Sequence, residues 1–211
     1  MRVTRRGFIK KAAQGALGLG ALLVAASVPA LKAILSPARG AAESASGEYN
    51  PKEHRWAMVV DTTKCIGCGL CALACKLENH VPMEPEMYRT WVERYVIDEN
   101  GRVSIDSPNA GVDGFGPQAQ DTSIRNSFFV PKLCNQCDNP PCVAVCPVSA
   151  TYMTEDGVIL VDESRCIGCK YCIVACPYGA RYLHPERKVV DKCTFCYHRI
   201  TKGLLPACVN V

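Results

Sequence analysis

Fifteen cysteines set the chemistry open to this 211-residue chain, and they fall into four groups. The first is Cys65, Cys68, Cys71 and Cys75; the third is Cys166, Cys169, Cys172 and Cys176. Both have the spacing C-x2-C-x2-C-x3-C. Cys134, Cys137, Cys142 and Cys146 keep the same design with two extra residues before the third cysteine, where Asn139, Pro140 and Pro141 form a widened turn. Three thiolates two residues apart can wrap one cubane iron–sulfur cluster from a tight loop, while the fourth, on the following helix, faces a neighbouring cluster. Such a loop needs little bulk, which suits Gly67 and Gly168. The fourth group is Cys193, Cys196 and, after a gap of 11 residues, Cys208. If its last step follows the other groups, one more cysteine is expected directly after Val211, in a longer natural chain.

Two structural alternatives compete with this chemistry. An exported, cysteine-rich protein is usually a disulfide scaffold, but residues two apart in tight loops rarely reach the Cα separations that native pairs need. Zinc takes four ligands, commonly as two distant C-x2-C pairs, and "CTFC" alone would make half of such a site. Blocks of four thiols exceed what zinc needs locally, so iron–sulfur chemistry is the reading that accounts for all of them.

The elements that must position these thiols repeat. "RWAMVVDTTKCIGC" and "DGVILVDESRCIGC" share an apolar run of β type, an aspartate, three residues, then Cys-Ile-Gly-Cys. "RKVVDKCTFC" is a looser copy, and "NSFFVPKLCNQC" keeps the order without the aspartate. The chain thus reads as four short strand-plus-cysteine units, with short helices over "GLCALACKLEN" and "KYCIVACPYGA". Between the first and second units, "TWVERYVIDENGRVSI" predicts a hairpin turning through Asp98, Glu99, Asn100 and Gly101. The Gly/Pro/Asp-rich "DSPNAGVDGFGPQAQDTS" that follows predicts an exposed loop, open to a docking role or to a solvated one.

Residues 1–42 carry an address. Arg2 to Lys11 is basic, Ala12 to Leu31 is apolar and rich in small residues, and "ARGAA" offers a processing region after Ala42. Within it "TRRGFIK" resembles the twin-arginine export signal through Arg5, Arg6, Phe8, Ile9 and Lys10. The apolar run is also about long enough for an uncleaved anchor, though Gln14, Gly15, Gly18, Gly20, Ser27 and Pro29 weaken it. Either reading puts the cysteine domain outside the cytoplasm. Residues 43–55 read as a linker and 56–211 as the folded domain.

The address also explains the net charge of +4. Its first 42 residues hold seven of the 24 Lys and Arg and no acid, leaving 17 basic and 20 acidic side chains beyond, a charge of −3. That balance excludes a nucleic-acid footprint. His54, His80, His184 and His198 are scattered and form no nucleophile or ligand pairing, so no catalytic site is read in this chain. Lys64, Lys132, Arg165 and Lys192 each stand one or two residues before a group's first cysteine, where a cation would raise a cluster's potential or simply be solvated.

From Trp56 to Val211 the sequence resembles the four-cluster, ferredoxin-like iron–sulfur subunits of bacterial membrane redox complexes, of the DMSO, polysulfide and tetrathionate reductase type. "CNQCDNPPCVAVCP" and "CIGCKYCIVACPYGAR" carry the resemblance, with Pro147 and Pro177 after the last cysteines; Lys76 departs from the proline of a simple ferredoxin. The resemblance implies an α+β fold of two interleaved bacterial-ferredoxin-like modules with a β-rich insertion over residues 77–130. It implies four [4Fe-4S] clusters in which each group's last cysteine crosses to its partner group. One takes Cys193, Cys196, Cys208 and Cys75; another takes Cys134, Cys137, Cys142 and Cys176; another takes Cys166, Cys169, Cys172 and Cys146. The last takes Cys65, Cys68 and Cys71, and with those three alone would persist as a three-iron form. It further implies a periplasmic electron-transfer subunit at the outer face of the cytoplasmic membrane. Its partners would be a polytopic quinone-reactive membrane subunit and a catalytic redox subunit, molybdopterin-containing, or a cytochrome. A freestanding redox carrier is the alternative within the same chemistry.

Overall fold

The computed structural model describes residues 49–84, 87–117 and 123–211. The twin-arginine stretch, the apolar run and most of the linker lie outside these residues. Among the described residues no helix is long and apolar enough to cross a membrane.

The largest element is a three-stranded antiparallel sheet in the order β2-β1-β3, formed by β1 (Thr90–Asp98), β2 (Val103–Asp106) and β3 (Ile124–Leu133). Alternation on β1 buries Thr90, Val92 and Val96, the period of two that a half-buried strand requires. The hairpin forms as its sequence predicts: Gly101 takes a φ of 79° in the turn, and the Asp98 side chain accepts from Arg102 N at 2.8 Å. Register is pinned by cross-strand pairs. Arg94 faces Asp106 and donates to both its carboxylate oxygens at 2.8 and 2.6 Å, and Tyr95 stacks on Phe128 with ring centroids 5.4 Å apart. Pro131 falls on β3, an edge strand, where a missing N–H is tolerated.

Beyond this sheet a small motif recurs. β3 runs directly into Cys134, and α2 (Pro141–Ala144) carries Cys142. A hairpin of β4 (Thr151–Met153) and β5 (Ile159–Val161) then leads into Cys166. Next α3 (Tyr171–Val174) carries Cys172, and the hairpin of β6 (Arg181–Leu183) and β7 (Val190–Lys192) leads into Cys193. α4 (Tyr197–Ile200) and a short 3-10 turn at Ala207–Val209 complete the chain, while α1 (Leu70–Glu78) holds Cys71 and Cys75. The architecture is therefore mixed, with few helices and several small antiparallel sheets, consistent with a ferredoxin-like fold.

One expected element is absent. The apolar run Trp56–Val60 forms no strand, whereas its repeat partner Ile159–Val161 does. β5 pairs with β4, which immediately follows group two; no strand among the described residues pairs with residues 56–60, and Val59 is 94% exposed. An extended segment becomes a strand only when a neighbour accepts its backbone hydrogen bonds.

The apolar core is divided between two small clusters, and both contain the cysteines. Cys134 and Cys193 pack with Val158, Ala180, Phe195 and Ile200. Cys142 and Cys172 pack with Ile159 and Val190.

Candidate iron–sulfur cluster sites

Each cysteine loop is shaped by the same backbone device. The residue before the second cysteine takes a positive φ in all four groups: Gly67 (73°), Gln136 (46°), Gly168 (66°) and Phe195 (53°). A left-handed residue in a tight loop turns the backbone sharply, and turns of this kind can aim successive N–H groups into a concavity suited to anionic cluster sulfurs. Space reinforces conformation at two of them. A Cβ on Gly67 would lie 2.5 Å from the Phe129 ring, and one on Gly168 2.5 Å from the Lys188 carbonyl oxygen. Gln136 and Phe195 take the strained conformation with side chains that hold other parts together: Gln136 Nε2 donates to Cys193 O at 2.9 Å and its Oε1 accepts from Ile159 N at 2.8 Å, while Phe195 is core.

All fifteen thiols are free, and they gather across groups. Cys75 lies among Cys193, Cys196 and Cys208: burial pushes its pKa far up, and the charges of those three thiols push it further. Asn79 Nδ2 sits 3.5 Å from Cys75 Sγ and 3.7 Å from Cys196 Sγ, tying the set together. Cys208 is pushed up to about 12 by burial and by Cys193, Cys196 and Cys71. Cys134, Cys137, Cys142 and Cys176 together line one pocket, walled by Pro140, Pro141 and Ile159. Burial and the neighbouring thiols raise Cys137. Cys65, Cys68 and Cys71 form a further set, in which burial first, then Cys65 and Cys68, raise Cys71. Cys166 and Cys172 share a cluster, and α2 packs against α3, bringing group two beside group three. Cys146, just beyond α2, is held in place by Ala150 N and Thr151 N at 3.2 and 3.5 Å from its sulfur. Burial opposes its ionisation, yet the surrounding backbone N–H groups outweigh burial and its pKa falls.

The sets adjoin one another in a fixed order. Cys71 neighbours Cys208, Cys193 neighbours Cys134, and Cys142 neighbours Cys172. Group one therefore leads to group four, group four to group two, and group two to group three.

The donors suit iron–sulfur clusters. Buried thiols that raise one another's pKa values need cations to ionise beside each other, and thiolate ligands supply that need by binding iron. Backbone donors already aim at the sulfurs: Val190 N donates to Cys166 Sγ and Phe195 N to Cys193 Sγ, both at 3.4 Å. Among the described residues no three His, Cys, Asp or Glu side chains form a group that could hold a single metal ion, whereas one zinc would need its thiolates about 2.3 Å from a common point. Thiols gathered in sets of three and four from tight loops fit a multi-iron centre.

Comparison with known proteins agrees. Residues 125–211 match the 4Fe-4S dicluster domain, and residues 56–77 match a 4Fe-4S binding domain. A thiosulfate reductase electron transfer subunit from Salmonella typhi is 38% identical, covering 77% of this chain and 73% of its own length. A polysulfide reductase chain from Wolinella succinogenes is 37% identical over 74% of this chain and 71% of its own. The chain belongs to this family of reductase iron–sulfur subunits. A tetrathionate reductase subunit from Salmonella typhimurium is 44% identical over 77% of the chain, which spans only 56% of that relative's length.

Within this iron–sulfur subunit, the four cations ahead of the cysteine groups part ways. Lys64 and Arg165 are exposed, and Lys132 pairs with Glu93 at 2.6 Å. Lys192 alone is buried, 1% exposed, with Nζ donating to Cys193 O at 2.6 Å. Three of the four histidines serve the scaffold: His54 stacks between Tyr49 and Trp56, His184 Nδ1 accepts from Glu186 N and Arg187 N, and His198 pairs with Glu78 at 2.7 Å. Sequence reasoning missed Asn79, Gln136 and Arg181. Each is polar and lies within a few residues of a cysteine, and that proximity was the available signal.

Proposed function

We propose that this iron–sulfur subunit holds four [4Fe-4S] clusters and relays single electrons between a membrane quinone-reactive subunit and an exported oxidoreductase. Three ligand sets are supported by the thiol neighbourhoods: Cys65, Cys68 and Cys71; Cys75, Cys193, Cys196 and Cys208; and Cys134, Cys137, Cys142 and Cys176. The fourth, Cys146, Cys166, Cys169 and Cys172, takes Cys166 with Cys172 from their packing and the other two from the family resemblance. When bound, such clusters supply one-electron carriers whose potentials follow hydrogen bonding, charge and exposure. The protein's part is to fix the carriers' order, exclude water and set those terms. The observation that carries the reading is the unbroken succession of thiol sets, which makes a line with two ends rather than a single buried centre.

Both ends reach the surface. Ile66, Cys68 and Leu70 are exposed beside the first set, and Ile167, Cys169, Tyr171 and Val174 beside the last, as handover to two partners requires. A freestanding carrier needs only one such face. The twin-arginine address supports folding and cofactor loading before export, and a periplasmic location at the outer face of the membrane. The relatives' names support a catalytic partner of the reductase type; the family resemblance adds that this partner is molybdopterin-containing, or a cytochrome. Catalysis belongs to that partner.

Iron and acid-labile sulfide, with EPR, on anaerobically purified full-length protein test the assignment. About sixteen irons per chain and interacting reduced-cluster signals are expected. Cys75→Ser should alter the same signal as Cys193→Ser and leave the signal altered by Cys68→Ser. Little iron after reconstitution, with zinc or oxidised thiols instead, refutes the reading.

A further inference from the structure

Two buried cations face each other across the last hairpin. Arg181 on β6 stands opposite Lys192 on β7, and they are 5% and 1% exposed. Like charges directly opposite on a strand pair destabilise it, and a buried charge demands a partner. Among the described residues neither forms an ion pair with a carboxylate. The next residue along, Asp191, points its carboxylate the other way, to Arg89 and Tyr182. The negative groups left to balance Arg181 and Lys192 are cysteine sulfurs.

Arg181 reaches two of them, and they belong to different sets. Its Nη2 donates to Cys142 Sγ at 3.0 Å and Nη1 donates to Thr151 Oγ1 at 3.3 Å, while the guanidinium also lies near Cys172, packed in the same cluster as Cys142, and its charge favours that thiolate. A planar fork with five donors and a permanent charge can serve two acceptors at once, as a lysine ammonium on its flexible stem cannot in the same geometry.

We propose that Arg181 is a positioning and potential-setting residue shared by two neighbouring cluster sites, the one with Cys142 and the one with Cys172. The inference rests on the ligand assignment above. Hydrogen bonds and positive charge at a ligand sulfur favour the reduced, more anionic cluster. One fixed guanidinium, bonded to the first sulfur and placing its charge near the second, raises both potentials together, which keeps electron transfer between these sites close to level. Thr151, on β4, holds the guanidinium from the side.

The test is an EPR-monitored redox titration of the loaded full-length protein against R181Q and R181K. In R181Q two of the four potentials fall, each by about tenfold in the reduction equilibrium constant, or about 59 mV for a one-electron couple; the other two stay. In R181K, which keeps the charge but serves one sulfur, one of those two potentials falls and the other holds, so the pair separates. Unmoved potentials in R181Q, a common shift of all four, or R181K matching R181Q would overturn the proposal. Should R181Q load fewer clusters, the separation in R181K decides alone. Iron content of the parent protein reports separately on the ligand assignment, so failure of one is distinguishable from failure of the other.

Discussion

Gly168→Ala offers a controlled test of how the cysteine loops are built, because the chain contains its own reference. Gly101 and Gly168 both have positive φ, 79° and 66°. A Cβ on Gly101 meets nothing within 4 Å, whereas one on Gly168 would sit 2.5 Å from the Lys188 carbonyl oxygen, against ordinary contacts of 3.4–4 Å. Conformational strain is common to both and costs about 1–2 kcal/mol. At Gly168 the obstacle is backbone, so the loop or the β6–β7 hairpin must shift by most of an ångström, adding about 1–3 kcal/mol by analogy with overpacked cores. The total there is about 2–5 kcal/mol. Urea denaturation followed by far-UV circular dichroism reads the difference, and iron per chain with EPR reads whether the third cysteine group still loads. G101A is expected to lose a little stability and keep its iron; G168A is expected to lose more and to lose the signal of that group's cluster. Equal destabilisation with full iron in both would refute the claim that the loop depends on close approach.

Two further outcomes follow from buried charge. Removing Asp191 by D191A leaves Arg89, only 9% exposed, without its partner, and is expected to destabilise by about 3–5 kcal/mol in chemical denaturation, with D191N costing less. Glu93 is opposed by burial, but donors from Lys132, Trp91 and Tyr95 outweigh burial and hold its pKa below the ordinary 4.5. A depressed carboxyl stabilises above its unfolded value and loses that contribution as pH falls through the folded one. Stability should therefore drop on acidification below about pH 4.5, less steeply in E93Q, as denaturation midpoints measured across that range would reveal.

The cysteine groups, the hairpin at Gly101 and the helices over Leu70–Glu78 and Tyr171–Val174 were legible because each depends on local spacing: C-x2-C loops, Asn-Gly turns and residues four apart. The convergence of Cys75 with Cys193, Cys196 and Cys208 came to the sequence only through family resemblance, since nothing near Cys75 specifies its distant neighbours. The missing strand at Trp56–Val60 shows the limit of pattern. Its apolar run matches that of Ile159–Val161, and only the presence of β4 beside one of them makes the difference. Arg181 escaped notice because an arginine five residues after a cysteine looks like any surface cation until the β6–β7 register turns it inward. Lys192 stood out only as one of four similar cations, and burial alone separates it from Lys64.

The mingling of distant cysteines also sets a timetable for biosynthesis. The thiols Cys134, Cys137, Cys142 and Cys176 are all present once the third group has left the ribosome, but Cys75 must wait for Cys208 before its neighbourhood exists. Of the cysteine groups, the first to emerge is among the last to be completed, and a nascent chain carries the thiols of α1 unsheltered until Cys208 has followed. A loading machinery that delivered iron in strict order of translation would fill the middle of this protein before its beginning.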